Sequence, residues 1–250
     1  MRHLNKLDRL NVEKKGHNDF VSEADRAAEA AVIEVIRKHY PDHAILAEES
    51  GAQGDADTTW IIDPLDGTTN FLHGFPQFCV SIGVTVKGRM EAAAVYDPMR
   101  QELFAASRGN GATLDDRKIR VSGRKDLEHA LIGTGFPFRN ADMEMGPYLA
   151  MLGKIVRNTS GVRRPGAAAL DLCYVAAGRL DGFWETNLQA WDLAAGALII
   201  REAGGIVSGL DGSENFLESG HVLCGTPKVY AGLARLCAQD IKAVLNAASN

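Results

Sequence analysis

The run Trp60-Ile61-Ile62-Asp63-Pro64-Leu65-Asp66-Gly67-Thr68-Thr69-Asn70-Phe71 constrains this chain more than any other stretch. Its apolar, β-branched lead-in reads as a strand, Pro64 halts it, and Gly67-Thr68-Thr69 opens a helix. Two aspartates therefore sit where a strand gives way to a helix N-terminus. Carboxylates three apart across a tight turn can point to one side and share a hard cation, with the Leu65 carbonyl available as a neutral oxygen ligand. The Gly67 and Thr68 amides that follow can hold a phosphate at the positive end of a helix dipole. A plainer account takes each residue singly: Asp66 as an N-cap, Asp63 as a strand end, Gly67 as relief for a turn.

Composition narrows the classes. At 250 residues and 46% hydrophobic, the chain can build one large domain or two small ones around a sizeable core. A net charge of -5 argues against a surface made for bulk nucleic-acid backbone binding. Cys79, Cys173, Cys224 and Cys237 are widely spread, with no CxxC and no histidine at ligand spacing, so they read as small buried hydrophobes in a reducing compartment rather than a disulfide or zinc framework. No signal peptide opens the chain and no apolar run reaches a membrane span of roughly 18 residues. A cytoplasmic protein is expected.

In order, Leu4, Leu7 and Leu10 have helical spacing over a length that is marginal for a helix. Lys14 to Asp19 reads as a mobile polar loop that a charged substrate could order. Ser22-Glu23-Ala24-Asp25 resembles a capping box opening a helix whose apolar positions Ala28, Val32, Val35, Ile36 and Tyr40 run to Pro41; Asp25 is readable as its N3 acid. Ala44 to Ala47 is a short strand ending in the acids Glu48 and Glu49, and Gln53 to Thr59 a polar connector. Phe78–Val86, Met90–Tyr96 and Glu102–Ala106 have the grammar of an antiparallel meander, and Leu114 to Ser122 forms a basic ribbon at a solvated edge. His73 reads as a structural loop histidine.

From Leu127 short strands alternate with helices: Ala130–Gly133, a helix about Met143–Val156, a strand near Gly161 and a helix about Ala167–Ala177. Gly166, Ala167 and Ala168 are small enough to let backbone approach a ligand, while Arg163 and Arg164 suit phosphate or a structural ion pair. Glu185 ends a strand from Leu180. Asp192, in Trp191-Asp192, opens a helix and could simply cap it. Strands at Ile206–Ser208 and Val222–Cys224 and a helix from Lys228 to Ala247 follow. There is no internal repeat.

Asp63 to Phe71 resembles the signature of the inositol monophosphatase family, and Trp191-Asp192-Leu193-Ala194-Ala195-Gly196 resembles its second signature; the similarity runs from about Lys15 to the C-terminus and most resembles the bacterial, SuhB-like branch. The resemblance implies an α+β fold, the layered αβαβα sandwich of the inositol monophosphatase/fructose-1,6-bisphosphatase type, with residues 1–122 as an α+β half holding an antiparallel sheet and metal site and 123–250 as an α/β half completing it. Glu48, Asp63 and the Leu65 carbonyl would hold one Mg2+, and Asp63, Asp66 and Asp192 a second. Thr68 and Asp25, with Glu48, would be catalytic by orienting the attacking water. Asp66, Gly67, Thr68, Glu185, Asp192 and the backbone of Gly166 to Ala168 would bind substrate, Glu185 accepting from a cyclitol hydroxyl. Ala167 stands where the family carries a hydroxyl and Pro165 where it carries another residue, so only backbone contacts carry over there. The opening is shorter than in SuhB-like proteins, which puts its packing and dimer contacts at issue.

The expected activity is Mg2+-dependent hydrolysis of myo-inositol 1-phosphate, inhibited by lithium, in a homodimer acting on a small phosphorylated polyol. Alternatives are a phosphatase of fructose-1,6-bisphosphate or another small monoester, or an interaction factor for transcription or ribosomal RNA maturation that meets RNA polymerase or its complexes.

Overall fold

A computed structural model describes residues 12–16, 19–137 and 143–248. The helical spacing of Leu4, Leu7 and Leu10 lies outside the described residues, as do His17 and Asn18.

The first half is mostly strand. In order come β1 (Val12–Gly16), β2 (Asp19–Ser22), α1 (Glu23–His39), β3 (Ala44–Ala47), β4 (Gly51–Gln53), β5 (Thr58–Asp66) and α2 (Thr68–Leu72). The meander β6 (Cys79–Val86), β7 (Arg89–Asp97) and β8 (Glu102–Ser107) and the hairpin β9 (Gly111–Leu114) and β10 (Arg117–Ile119) follow. The second half alternates: β11 (Leu131–Thr134), α3 (Met145–Asn158), β12 (Gly161–Arg163), α4 (Ala168–Ala176), β13 (Gly182–Glu185), α5 (Ala190–Glu202), β14 (Ile206–Ser208), α6 (Phe216–Ser219), β15 (Val222–Gly225) and α7 (Pro227–Ala248).

Two large sheets organise these elements. One has eight strands in the order β10-β9-β8-β7-β6-β5-β3-β4, antiparallel except where β3 lies parallel to β5. The other has five in the order β12-β11-β13-β15-β14, its β12-β11-β13 part parallel and the rest antiparallel. α4 and α5 pack between the sheets, α1 covers the outer face near β3 and β5, and α3 and α7 cover the far face of the second sheet. The layers are α, β, α, β, α, as the resemblance implies.

Burial explains the sandwich. The middle helices are apolar all round, as a layer covered on both sides requires: α5 buries every residue from Asp192 to Ile200. Gly196 lets α4 approach, since a Cβ there would stand 2.5 Å from the Leu172 Cβ. α3 and α7 are amphipathic instead, burying Tyr148, Met151 and Ile155 on one and Val229, Leu233 and Cys237 on the other.

Several sequence expectations are corrected. Lys14 to Asp19 is no loop where it is described: β1 and β2 form an antiparallel hairpin, pairing Val12 with Ser22 and Glu13 with Val21. On α1 the buried residues are Ala24, Asp25, Glu29 and Ile36, whereas Val35 is 60% exposed, because the helix lies on the sheet along a face that carries two acids. The basic ribbon is a hairpin that begins at Gly111, turns at Asp115 and Asp116 in left-handed conformation, and presents Arg117 to Ile119 at the sheet edge. Strand β5 does not stop at Pro64, for a reason that bears on the site.

Candidate active site

In a regular strand residues three apart face opposite sides of the sheet, so Asp63 and Asp66 could not meet. Between them β5 shifts register against β6: Asp63 opposes Ser81 and Asp66 opposes Cys79, three steps on one strand against two on the other. This bulge inserts one residue, rotates Asp66 to the side of Asp63, and gives Pro64 a place where its missing N–H removes no ladder bond. The carboxylates converge by a bulge, not by the tight turn that their spacing suggested.

Asp63 and Asp66 then meet Asp192. Each offers a carboxylate oxygen, and the three atoms lie within 4.8 Å of one another; among the described residues this is the one group of three or more His, Cys, Asp or Glu side chains that could hold a metal ion. All three are buried. Burial pushes the Asp63 carboxyl well above the usual carboxylate range, and the negative charges of Glu48, Asp66 and Asp192 push it further, against the Leu65 N–H that donates to its Oδ1 at 2.9 Å. Glu48 stands outside the triangle, next to Asp63, on the turn after β3, with its N–H on the Ile62 carbonyl at 3.1 Å.

The other groups are held from several directions. The Asp66 Oδ2 accepts the Ala169 N–H at 2.7 Å, so the acid is seated on the N-terminus of α4. Asp192 is the third residue of α5, not its cap, and its Oδ2 accepts the Gln189 N–H at 2.7 Å. The Thr68 hydroxyl reaches the Asp25 Oδ1 at 2.9 Å and the Leu65 carbonyl at 3.1 Å. Asp25 takes Ser22 on its other oxygen, the N–H at 2.8 Å and the hydroxyl at 2.6 Å, completing the capping box. It is thus both N3 acid and partner of Thr68.

Gly67, not Asp66, caps α2, at φ +92°; a Cβ there would meet the Gln77 carbonyl at 2.8 Å, so glycine is required. α2 has five residues, so any anion held there relies on local N–H groups more than on a long helix dipole. Asn70 donates to the carbonyls of Gln77 at 2.7 Å and Pro165 at 2.9 Å, tying α2 to the loop that leads into α4. Phe71 packs edge-on against Phe78, ring centroids 5.2 Å apart.

A cavity of about 410 Å³ opens beside the acids, lined by Asp66, Gly67, Thr68, Asp192, Glu185 and Ala168 among others. Gly166 lies on its wall, whereas Ala167 is fully buried behind it. Asp25, Glu48, Asp63 and Leu65 are not among its lining residues. His73 and Arg164 reach the cavity too, Arg164 with its guanidinium 5.6 Å from the Phe136 ring centroid. The donors fit a hard, oxygen-seeking cation: carboxylates and a carbonyl, with no imidazole among them. The nearest thiol, Cys79, contacts the Asp66 Oδ2 at 3.7 Å, and burial pushes it well above the usual thiol range, which keeps it a thiol and a poor metal ligand.

Sequence reading gave no role to Ala169, Asn70, Thr186 or Asp171. The first acts through its backbone, which no side-chain pattern reveals. Thr186 lines the cavity with a buried hydroxyl, and Asp171 is buried on α4 with an Oδ1 that has no hydrogen-bond partner among the described residues.

Residues 1–242 match the model of the inositol monophosphatase family. The chain is 54% identical over 237 residues to a Pseudomonas aeruginosa protein named Nus factor SuhB, covering 93% of this chain and 88% of that one. The crystal structure of the extragenic suppressor protein suhB from Bartonella henselae superposes with a TM-score of 0.92 at 44% identity, covering 95% and 92% of the two chains. An inositol monophosphatase from Anabaena gives 0.82 at 42% identity over 86% of each. The match over residues 1–242 and the fold shared with these proteins make this chain a member of the inositol monophosphatase family, its acids gathered by a β5 bulge and the start of α5.

Proposed function

We propose that this phosphatase-family chain hydrolyses myo-inositol 1-phosphate to inositol and phosphate with Mg2+ as its cofactor. Asp63, Asp66 and Asp192, with Glu48 and the Leu65 carbonyl, would hold the ions. When bound, Mg2+ supplies charge neutralisation on the phosphoryl oxygens and acidifies water. The observation that carries this reading is the convergence of three buried carboxylate oxygens within 4.8 Å, beside the Thr68–Asp25 hydrogen bond.

The chain's own groups divide the work. Thr68 donates its proton to Asp25, which leaves its oxygen lone pairs to accept a hydrogen bond from water and aim it at phosphorus. The Gly67 and Thr68 amides face the transferring phosphoryl oxygens. Gly166 and Ala168 offer backbone to the substrate, and Glu185, on the cavity wall, accepts from a hydroxyl of the leaving alcohol. We read residues 1–122 and 123–250 as two halves that each contribute acids to one site. The homodimer and a cytoplasmic site of action belong to the same proposal. Four free, buried cysteines suit a reducing compartment, and no helix among the described residues is long and apolar enough to cross a membrane.

Phosphate release is the test. Myo-inositol 1-phosphate should be cleaved with Mg2+, not with EDTA, and faster than fructose-1,6-bisphosphate or a 3′-phosphoadenosine phosphate. Preference for either of the latter would move the substrate assignment, and no release from any of them would end the enzymatic reading. Light scattering on a sizing column reads the dimer.

A second reading is favoured by the 54% identity to a protein named Nus factor SuhB. On that reading the chain also serves a transcription complex as a binding partner, RNA polymerase included. An Asp63→Asn variant separates the two: full rescue of a deletion strain favours binding, and loss of rescue favours chemistry.

A further inference from the structure

Helix α1 carries two buried acids one turn apart on the same face, Asp25 and Glu29. Asp25 reaches across to Thr68. Glu29, 4% exposed, does something separate: its Oε2 accepts the backbone N–H of Glu49 at 2.8 Å. Glutamate is rarely buried without a purpose, because its charge loses hydration unless hydrogen bonds replace it. None of the chemistry assigned to the converging aspartates uses it.

The turn that Glu29 holds is the one that delivers Glu48. Two attachments define that turn. On one side the Glu48 N–H bonds to the Ile62 carbonyl at 3.1 Å, one residue before Asp63. On the other, the next N–H along the chain, that of Glu49, is fixed by Glu29. Consecutive peptide groups are thus fastened to β5 and to α1, which fixes the backbone that carries Glu48 beside Asp63.

We propose that Glu29 is a positioning residue for divalent-cation binding: its carboxylate anchors the Glu48–Glu49 turn from behind, and α1 braces the site through one acid per wall, Asp25 for the Thr68 side and Glu29 for the Glu48 side. The inference rests on the metal reading given above and adds to it a residue that contacts neither metal nor substrate. Groups that orient ligands in this way are worth about 10–100-fold in metal affinity.

The experiment compares Glu29→Met, which matches the volume but has no acceptor, and Glu29→Ala with Glu29→Gln, whose amide oxygen can still take the Glu49 N–H. Mg2+ binding is measured by titration calorimetry and, separately, as the Mg2+ dependence of phosphate release. Either of the first two variants should bind Mg2+ about tenfold more weakly, with kcat at saturating Mg2+ within about threefold of wild type, and Glu29→Gln should recover most of the affinity. A variant that melts earlier yet binds Mg2+ as wild type does would overturn the proposal, as would a Glu29→Gln no better than Glu29→Met. If the wild-type protein binds no Mg2+, the metal reading itself fails and takes this inference with it; if it binds Mg2+ but releases no phosphate, the calorimetric comparison still decides the role of Glu29.

Discussion

The first turns of α1 and α5 are built alike and end differently. In each, an aspartate at the third helical position accepts the N–H of the residue that precedes the helix, Ser22 for Asp25 and Gln189 for Asp192. Capping occupies one carboxylate oxygen and leaves the other to face out of the helix end. For Asp25 that other oxygen meets a hydroxyl, Thr68, whereas Asp192 brings a carboxylate oxygen within 4.8 Å of two more carboxylates. One local motif therefore yields a hydrogen-bond acceptor in one place and a cation-seeking group in the other. The partner across the fold decides which. α4 supplies the contrast: Asp171, also in its first turn, has no hydrogen-bond partner on its Oδ1 among the described residues.

Substitutions can break this comparison. The largest effect is expected from Asp192→Asn, which keeps an oxygen for the Gln189 N–H but removes a charge from the cluster. Phosphate release should fall by at least about a hundredfold, while the melting temperature without Mg2+ holds or rises, because like charges no longer crowd. A variant that loses stability instead would make Asp192 a cap and no ligand.

Asp25→Asn comes next. Its amide can still serve one neighbour, but not both Ser22 and Thr68 with acceptor oxygens, so kcat should drop about 10²-fold or more with Mg2+ affinity held within about threefold. Calorimetry and steady-state rates together read this. Equal losses in Mg2+ affinity for Asp25→Asn and Asp192→Asn would erase the distinction between the two helix starts.

Asp171→Asn sharpens the contrast through pH. Burial, then the charges of Asp66 and Glu185, raise the Asp171 carboxyl well above its ordinary range, with Arg164 opposing. A raised carboxyl is protonated in the fold at a pH where the unfolded chain has already ionised, so it contributes a loss of stability that begins above the ordinary aspartate value of about 4 and grows as pH rises toward the folded value. Asparagine removes that loss. Its melting temperature should exceed that of wild type increasingly as pH rises above the ordinary aspartate range, as calorimetric scans would record. Ser22→Ala is the smallest change, about 1 kcal/mol of stability or roughly 2–4 °C in melting temperature, with Thr68 still bonded to Asp25 and kcat little altered.

Much of this site is legible in the chain. Ser22-Glu23-Ala24-Asp25 announces its cap, and the strand lead-in to Asp63 announces a buried junction, because both are local patterns whose physics lies within a few residues. The alternation of strands and helices after Leu127 likewise reads directly. The bulge was not legible. Pro64 looks like the end of a strand because a proline usually is, and only the pairing with Ser81 and Cys79 reveals the inserted residue. The seat of Asp66 on the Ala169 N–H is invisible for another reason: 103 residues separate the partners, and an alanine amide carries no sequence signal.

By itself, then, the sequence determined most of the segments that form strands and helices, which residues carry charge into their ends, and that oxygen donors would dominate any site they built. Only the tertiary structure decided that Asp63 and Asp66 share one side of β5, that Asp192 joins them from a helix in the second half, and that Glu29 fastens the turn bearing Glu48. Local propensity acts over a few residues, whereas these outcomes depend on strand register and on helices packed across the layers, where the position of a carboxylate is set by whatever the rest of the fold places opposite it.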